Sequence, residues 1–408
     1  MLSVNEARER ILSHFQTTAT EKNPLIACAN RILATDIISD LDFPLFDNSS
    51  MDGFAIRAED SNSASSTTLQ VVADIPAGSS PTVTLKHGQA ARIMTGAQMP
   101  GGANAVIPVE DIDPHPNPLP NMERELPEKI SFNKKINAGD YVRAKGSDIH
   151  AGEIVLQKGR DRKPQDLGLL ATLGIANVEV YKKPRVALLS SGDELLNVDA
   201  PLEEGKIRDS NSYTLASLLE GANVEVLRLG VAKDSKESVT KLFDEAVEQK
   251  ADLILSSAGV SVGAYDFIKE VIESHGEMDF WKVNMRPGKP LAFGEYKGIN
   301  FIGLPGNPVS AFVGFEVFVR PVLGLMKGVG NRNRFTVKVR SEVEIESDGR
   351  ESYLRAKIRE EDGVKIAVLT GHQGSGNLLS LVQADALLII PAGVKCVPAG
   401  QEVEAILL

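Results

Sequence analysis

The spacing of hydrophobic and polar positions changes character several times along the chain, and each change predicts a different kind of structure. Residues 3–6 (SVNE) have the pattern of a capping box, and the amphipathic stretch behind them predicts a helix to about Phe15. Short alternating runs then lie between turns rich in glycine, proline and serine. These runs are 54–57, 68–75, 91–94, 105–109, 129–133 and 141–144. They predict a small β module in residues 44–150, with the proline-rich segment 113–127 as an exposed loop.

Residues 183–328 follow a different rhythm, in which strand-length apolar runs alternate with helix-length runs. The predicted strands are 185–190, 224–229, 252–256, 280–283, 291–293 and 301–304. The predicted helices are 210–219, 234–249, 268–274 and a long apolar helix that starts at Asn307. This alternation is typical of a parallel sheet with helices on both faces, in which ligands bind at the loops that leave the carboxyl ends of the strands.

Residues 329–408 return to strand-like alternation, with Asp348-Gly349 and Asp362-Gly363 as predicted hairpin turns. A chain of 408 residues exceeds what one hydrophobic core usually supports, so several domains are expected. The predicted fold class is therefore multi-domain α/β plus β. It has a central doubly wound α/β domain, an inserted small β module and a second β domain at the C-terminus.

Composition narrows the function without identifying it. With 42% hydrophobic and 24% charged residues, the chain has the composition of a soluble globular protein. Its formal charge of −11 argues against non-specific binding to nucleic acid or to anionic membranes, but not against an anionic ligand in a local basic pocket. The apolar run 311–326 contains Glu316 and Arg320, and the first residues are too charged for a signal peptide. We therefore expect a cytoplasmic protein that does not span a membrane.

Three loops rich in small residues follow three of the predicted strands, at residues 190–195, 256–263 and 305–310. Loops of this kind that lead into helices present backbone N–H groups and the positive end of a helix dipole, which suits a phosphate or another oxyanion. One such loop is an ordinary connection between a strand and a helix. Three of them at one edge of the same sheet favour a ligand site.

Charged residues accompany these loops. The carboxylates of Glu194, Asp234 and Asp266 are expected near the same edge, and Mg²⁺ prefers one or two carboxylates together with phosphate oxygens. Asp234 is equally well interpreted as the N-cap of the helix behind it. The candidate cations are Arg208, Arg286 and Lys289. Two of them belong to the segment RPGKP (286–290), whose prolines and glycine fix the backbone so that both cations can face one anion.

One further carboxylate is prominent in the β module, in the segment FPLFDNSSMDGFAIRAED (43–60). Asp52-Gly53 alone is a common hairpin turn, because glycine tolerates positive φ and aspartate bonds to the local backbone. Here, however, small hydroxyl residues crowd the carboxylate, and the turn lies between Phe46 and Phe54. We interpret Asp52 as a functional carboxylate presented by a turn.

Eight short motifs occur along the chain in an order that resembles one known family. They are NSSMDGFA, IMTGAQMP, VRAKGSDI, SSGDEL, IRDSN, SAGVSVGAYDF, RPGKPLAFG and LPGNPVS. The ordered set resembles the MoeA family of molybdopterin molybdenumtransferases, which includes the C-terminal domain of gephyrin, and the resemblance covers essentially the whole chain. It implies a linking domain (1–43 and 151–182), an inserted β module (44–150), a MogA-like α/β molybdopterin-binding domain (183–328) and a C-terminal β-barrel-like domain (329–408).

The resemblance also implies an activity and an assembly. The implied reaction inserts molybdate into adenylylated molybdopterin in the presence of Mg²⁺, releasing AMP and forming molybdenum cofactor. The implied active site lies between the α/β domain of one subunit and the β module of the other subunit of a homodimer. Molybdopterin adenylyltransferase and apo-molybdoenzymes are the other implied partners.

Carried over motif by motif, the resemblance assigns roles to individual residues. The implied catalytic residues are Asp52, Thr95, Asp148, Glu194, Asp234 and Asp266, of which the last three are also the implied metal ligands. The implied binding residues are Arg143, Ser191, Gly192, Arg208, Gly259, Ser261, Gly263, Arg286, Lys289, Pro305, Gly306, Asn307 and Ser375.

Two residues depart from the family pattern, and two other functions stay open. Arg286 stands where many members have lysine, and its planar guanidinium changes the geometry offered to an anion. Ala258 replaces a usual glycine, and its methyl group narrows the approach of the backbone if the position has positive φ. The alternatives are a scaffold protein of the gephyrin type and a molybdopterin adenylyltransferase. The β module and the C-terminal β domain favour molybdate insertion over adenylylation. A scaffold role would need extra segments for partners, which we do not expect beyond the four domains.

Overall fold

Contacts between residues divide the chain into two units. The computed structural model describes residues 1–61, 66–113, 126–161, 163–258, 267–329 and 335–408. The first unit comprises Met1–Thr35, Gly159–Leu167 and Asn177–Leu408, and the second comprises Asp36–Lys158 and Gly168–Ala176. The finer division into four domains stays a prediction.

The helices and strands are numbered in chain order. Up to residue 181 they are α1 (Val4–Leu12), β1 (Thr20–Pro24), β2 (Ile37–Ile38), β3 (Asn48–Ser49), β4 (Gly53–Ile56), β5 (Thr67–Ile75), β6 (Gln89–Ile93), β7 (Ala105–Pro108), β8 (Lys129–Phe132), β9 (Val142–Arg143), β10 (Ile154–Leu156), α2 (Pro164–Thr172) and β11 (Asn177–Tyr181). They continue with β12 (Arg185–Ser191), β13 (Leu195–Leu196), β14 (Ile207–Arg208), α3 (Asn211–Gly221), β15 (Glu225–Ala232), α4 (Lys236–Glu248), β16 (Leu253–Ser257), α5 (Phe267–His275), β17 (Gly276–Lys282), β18 (Met285–Arg286), β19 (Pro290–Tyr296), β20 (Ile299–Leu304), α6 (Pro308–Gly314) and α7 (Arg320–Met326). The last elements are β21 (Thr336–Ser341), β22 (Ile345–Glu346), β23 (Glu351–Glu361), β24 (Val364–Leu369), α8 (Leu378–Val382), β25 (Ala386–Ile390), β26 (Cys396–Val397) and β27 (Glu402–Leu407).

The N-terminal helix α1 has the capping box that the sequence predicts. The Ser3 Oγ accepts a hydrogen bond from the Glu6 N–H, and the Ser3 N–H donates to the Glu6 carboxylate. The helix ends at Leu12 rather than Phe15, because the N–H groups of His14 and Phe15 donate to carbonyls three residues back and tighten the chain into a turn. The buried face of α1 packs into the apolar cluster of the central sheet.

The second unit contains a five-stranded sheet in the order β7-β4-β6-β5-β8. Strand β4 pairs antiparallel with β6 and β7, whereas β5 runs parallel to β6 and antiparallel to β8. All the β runs predicted in residues 44–150 are strands, and the last of them, β9, pairs with β3. The predicted small β module is therefore confirmed. The proline-rich loop predicted for 113–127 falls largely on 114–125, outside the described residues.

The central sheet of the first unit is mixed rather than wholly parallel. Its order is β15-β12-β16-β20-β19-β17, in which the first four strands pair parallel and β19 pairs antiparallel with both β20 and β17. The reason is a two-residue turn between β19 and β20, in which Lys297 and Gly298 both have positive φ (46° and 86°). A turn of this length joins only antiparallel strands.

Helices cover both faces of this sheet, as predicted. The helices α1, α3 and α6–α7 contribute to the apolar cluster on one face, and α4 and α5 contribute to the cluster on the other. A π-helical turn (Phe315–Val319) joins α6 to α7, and within it the buried Glu316 accepts two hydrogen bonds of 2.7 Å from Arg320. Pro308–Met326 is long and apolar enough to cross a membrane, but its apolar window is 78% buried inside the protein. Such burial is typical of a core helix in a soluble protein.

The C-terminal strands form a closed barrel. Strands β23, β24, β21, β27 and β25 pair in sequence, and β25 pairs back with β23, which closes the ring without a free edge. The predicted turn at Asp362-Gly363 is confirmed, with φ of 49° and 76° between the paired strands β23 and β24. The predicted hairpin at Asp348-Gly349 is wrong. It connects β22 to β23, but β22 pairs with β26, so the chain crosses from one sheet to another there.

The interpretation of Asp234 as a helix cap is also wrong. The N-cap of α4 is the next residue, Ser235, whose Oγ accepts a hydrogen bond from the Ser238 N–H at 3.2 Å. The Asp234 carboxylate instead accepts a hydrogen bond from the Asp193 N–H, in another loop. The carboxylate is therefore directed to the sheet edge and not to its own helix.

We expect Ser235→Ala to destabilise the start of α4 by about 1 kcal/mol, because the substitution removes the capping oxygen. Amide hydrogen exchange in the first turn of α4 should become faster. The matched substitution Asp234→Ala should leave that exchange close to wild type. Faster exchange in Asp234→Ala than in Ser235→Ala would contradict this assignment of the cap.

Candidate active site

The carboxyl ends of β12, β16 and β20 lie level at one edge of the central sheet, since Ser190 pairs with Ser257 and Ser257 with Leu304. The small-residue loops behind these strands therefore leave the sheet side by side. Ser191 ends β12 and is buried, and the Gly192 N–H donates at 3.2 Å to the carbonyl that ends β15. This hydrogen bond, to the carbonyl of Ala232, fixes the start of the first loop against the neighbouring strand.

A side chain that sequence reasoning missed joins two regions of this edge. Asn211, the first residue of α3, is buried, and its Nδ2 donates to the Ser257 Oγ at 2.8 Å and to the Gly306 carbonyl at 2.7 Å. These hydrogen bonds hold the end of β16 against the loop that follows β20. Asparagine at a helix start is ordinarily a cap, so the local sequence carries no sign of a bridge over this distance.

A cavity of about 380 Å³ lies at the end of β20, within the first unit. Six of the predicted binding residues line it: Arg286, Lys289, Pro305, Gly306, Asn307 and Ser375. They come from three separate segments, which are the RPGKP turn, the loop into α6 and the loop Gly371–Asn377 of the C-terminal barrel domain. A backbone hydrogen bond of 3.1 Å from the Val309 N–H to the Ser375 carbonyl joins the last two segments.

Positive charge is concentrated at this cavity. Arg350, which sequence reasoning missed, lines it together with Arg286 and Lys289. Arg350 is brought there because β18 pairs parallel with β23, which places Met285 opposite Glu351. An arginine next to a predicted hairpin is ordinarily a surface charge, so only the strand pairing distinguishes it.

One carboxylate, Asp348, is the counter-ion of two of these cations. Its Oδ2 accepts hydrogen bonds from Arg350 Nε (3.0 Å) and Nη2 (2.5 Å), and it lies 3.8 Å from Arg286 Nη1. The hydrogen bonds from Arg350, and then the charges of Arg350 and Arg286, hold the pKa of Asp348 below its usual range. Asp348 is therefore ionised at neutral pH and orients both guanidinium groups.

The departure at Ala258 has a structural consequence. Ala258 has φ of 70°, so the position does require the left-handed conformation that favours glycine. A Cβ built on Gly306 would lie 3.3 Å from the Ala258 Cβ. The Ala258 methyl group thus fills the space directly beside the loop into α6, and it limits how closely a ligand approaches Gly306 from that side.

The acidic candidates lie at the ends of β12 and β15. The Asp193 N–H donates to Asp234 Oδ2 at 3.3 Å, and the Asp234 N–H donates to Asp193 Oδ1 at 3.2 Å. The Glu194 carboxylate lies against Gly192, where a built Cβ would be only 2.5 Å from Oε2. Among the described residues, no group of three potential metal-ligating side chains comes together. The predicted residues Gly259, Ser261, Gly263 and Asp266 lie outside the described residues.

Arg208 is placed apart from the cavity. It belongs to β14, which pairs with β13, and its Nη2 donates to the Ala200 carbonyl at 3.2 Å. Within the part of the chain that the structure describes, the cations that line the cavity are Arg286, Lys289 and Arg350.

In the second unit, the structure brings together the predicted polar residues in pairs. Asp52 Oδ1 accepts hydrogen bonds from both the N–H and the Oγ of Thr95, each at 2.8 Å. Arg143 forms an ion pair with Asp148 on the exposed surface, and β9 places Arg143 opposite Asn48. A Cβ on Gly53 would lie 2.1 Å from the Ile107 carbonyl oxygen, so that glycine is required for the pairing of β4 with β7.

Comparison with protein families matches nearly the whole chain. The MoeA N-terminal region (domain I and II) matches residues 2–174. A probable molybdopterin binding domain matches residues 187–324, and the MoeA C-terminal region (domain IV) matches residues 338–408.

Individual proteins give the same result. The molybdopterin molybdenumtransferase of Nostoc sp. is 38% identical over 394 residues, which cover 94% of this chain and 88% of the relative. Molybdopterin molybdenumtransferase 2 of Mycobacterium tuberculosis (strain H37Rv) is 36% identical, with 99% of each chain covered. The crystal structure of the molybdopterin biosynthesis moeA protein from Pyrococcus horikoshii OT3 superimposes with a TM-score of 0.82 at 31% identity and covers 100% of both chains.

Proposed function

This chain belongs to the MoeA family, and on that premise we propose that it inserts molybdate into adenylylated molybdopterin, releasing AMP and forming molybdenum cofactor. The observation that carries the proposal is the cavity in which Arg286, Lys289 and Arg350 converge beside the loop into α6. Molybdate is a tetrahedral oxyanion, and the substrate carries phosphate groups. Both need cations and N–H donors in a confined space.

In this proposal, some residues supply positive charge to the ligand and others fix the position of the loop that contacts it. Arg286 and Lys289 neutralise the oxyanion, with the fork of Arg286 binding two oxygens and Lys289 acting as a point charge. The loop at Pro305–Asn307 lines the same cavity and would present its backbone to the ligand. Its position depends on the hydrogen bond from Asn211 to the Gly306 carbonyl.

Mg²⁺ is the proposed metal, held by Glu194 and Asp234 together with Asp266. Carboxylate oxygens suit this hard cation, and Asp234 faces away from its own helix, with one oxygen already held by the Asp193 N–H. When bound, Mg²⁺ would offset the negative charge that develops on the phosphate oxygens.

The proposed active form is a homodimer with its site between subunits. The α/β domain of one subunit would supply the cationic cavity, and the β module of the other would supply Asp52, Thr95, Arg143 and Asp148. The hydrogen bonds from Thr95 fix one oxygen of the Asp52 carboxylate and so orient the group. The proposed partners are molybdopterin adenylyltransferase, which supplies the substrate, and apo-molybdoenzymes, which receive the product. The proposed location is the cytoplasm, with no nucleic acid or membrane involved.

The assay that tests the activity measures AMP released from adenylylated molybdopterin at a series of molybdate concentrations, with Mg²⁺ present. Release should depend on molybdate, and Lys289→Ala should raise the KM for molybdate about ten-fold or more, because a charged hydrogen-bond donor is lost. The matched control is Lys297→Ala, which removes an exposed lysine paired with Asp244. If wild-type AMP release shows no dependence on molybdate, the proposed reaction is wrong.

The site between subunits is tested by complementation. Asp52→Ala and Lys289→Ala should each lower turnover at low molybdate by about ten-fold or more, since each removes a charged group from one half of the site. A purified heterodimer of the two variants should recover about half of the wild-type activity, because one of its two composite sites is intact. A heterodimer no more active than either parent would place both residues in the same subunit's site.

A further inference from the structure

Arg355 is the largest fully buried side chain among the described residues, and it lies on β23 of the C-terminal barrel with 0% of its surface exposed. The hydrogen-bond acceptors of its guanidinium group are a hydroxyl and backbone carbonyls, none of which carries a charge. Nε donates to the Ser380 Oγ at 3.1 Å, Nη1 donates to the Gln373 carbonyl at 3.2 Å, and Nη2 donates to the carbonyls of His372 (3.4 Å) and Gly374 (3.0 Å). Three successive carbonyls of one loop therefore converge on a single buried guanidinium.

The backbone of Arg355 also forms hydrogen bonds to the same loop. Its N–H donates to Gln373 Oε1 at 2.9 Å, and its carbonyl accepts a hydrogen bond from Gln373 Nε2 at 3.1 Å. Thr370, which precedes the loop, is held to the same strand and to α8. Its Oγ lies within hydrogen-bonding distance of the carbonyls of Arg355 (3.2 Å) and Ser380 (2.7 Å), to which it donates. The conformation of residues 371–375 thus depends on Arg355 through both side chain and backbone.

This arrangement determines where the N–H groups of the loop point. In a trans peptide unit the carbonyl and the following N–H point in opposite directions. Because the carbonyls of residues 372–374 face Arg355, the N–H groups of residues 373–375 face away from it, and these residues line the cationic cavity. The Gly374 N–H donates to His372 Nδ1. The N–H groups of Gln373 and Ser375 have no acceptor among the described residues.

Arg355 also adds charge behind the cavity. Burial lowers the pKa of its guanidinium, and the charge of Arg286, which lines the cavity, lowers it further. Arginine remains protonated in proteins, so the two cations repel each other across the loop. An anion in the cavity relieves that repulsion.

We propose that Arg355 is a positioning residue for the oxyanion: it turns the carbonyls of residues 372–374 inward and presents the N–H groups of Gln373 and Ser375 to the cavity beside Arg286. The ligand class is a tetrahedral oxyanion bound by N–H groups and cations. The proposal rests on the function proposed for this cavity, and it adds a residue that does not itself touch the ligand.

The test compares three variants of the full-length protein by two readouts, the Kd for molybdate measured by calorimetry and the KM for molybdate in AMP release. Arg355→Met should raise both by about ten-fold or more, since it removes the charge and the loop contacts. Arg355→Lys keeps the charge without the fork and should fall between Met and wild type. Arg359→Met, on the same strand but with an exposed side chain paired to Glu342, should bind as wild type does.

Three outcomes would overturn the proposal: a Kd for Arg355→Met within two-fold of wild type, a Kd for Arg355→Lys equal to that of wild type, or a loss of affinity in Arg359→Met equal to that in Arg355→Met.

If Arg355→Met does not fold, Ser380→Ala decides the question. It removes the acceptor of Nε together with the hydrogen bond from the Ser380 Oγ to the Asn377 carbonyl, while the contacts of Nη1 and Nη2 remain. It should raise the Kd about three-fold, and an unchanged Kd contradicts the proposal. Wild-type protein that binds molybdate without releasing AMP would refute the proposed reaction, while the ratio of Kd values still tests Arg355.

Discussion

Parallel pairing of β12, β16 and β20 is the constraint on which the candidate site depends, because it places three strand ends level at one sheet edge. A sheet only aligns the strand ends; it does not fix the loops behind them. Here the buried amide of Asn211 supplies that second restraint by bonding to both Ser257 and Gly306. The cationic turn and the barrel loop then meet the loop into α6 at a fixed position. The geometry of the cavity is thus a consequence of strand register and one buried hydrogen-bonded side chain.

The cavity is lined by positive charge, whereas the molecule as a whole is negatively charged. The chain carries a formal charge of −11, yet Arg286, Lys289 and Arg350 line one cavity, and Asp348 is the counter-ion of two of them. A local excess of positive charge binds a small oxyanion without attracting nucleic acid to the surface as a whole. Arg355 strengthens that local field from inside the barrel, where it is shielded from solvent.

Much of the fold could be predicted from the sequence, because strand and helix periodicities are local. The capping box at Ser3, the strands of the β module and the turn at Asp362-Gly363 depend on neighbouring residues alone. Pairing over long distances could not be predicted in the same way. The antiparallel end of the central sheet and the crossing at Asp348-Gly349 are set by strand partners far away in the sequence.

The same division applies to the candidate site. The motifs identified Arg286, Lys289 and the loop at residues 305–307, whereas Asn211, Arg350 and Arg355 act through partners from distant segments and carry no local signal. The most direct test of the cationic cavity is a crystal soaked in tungstate, which has the charge and shape of molybdate, with anomalous scattering recorded at a tungsten absorption edge. The account predicts an anomalous peak within hydrogen-bonding distance of Arg286 and Lys289. Tungstate bound only at other positions would contradict it.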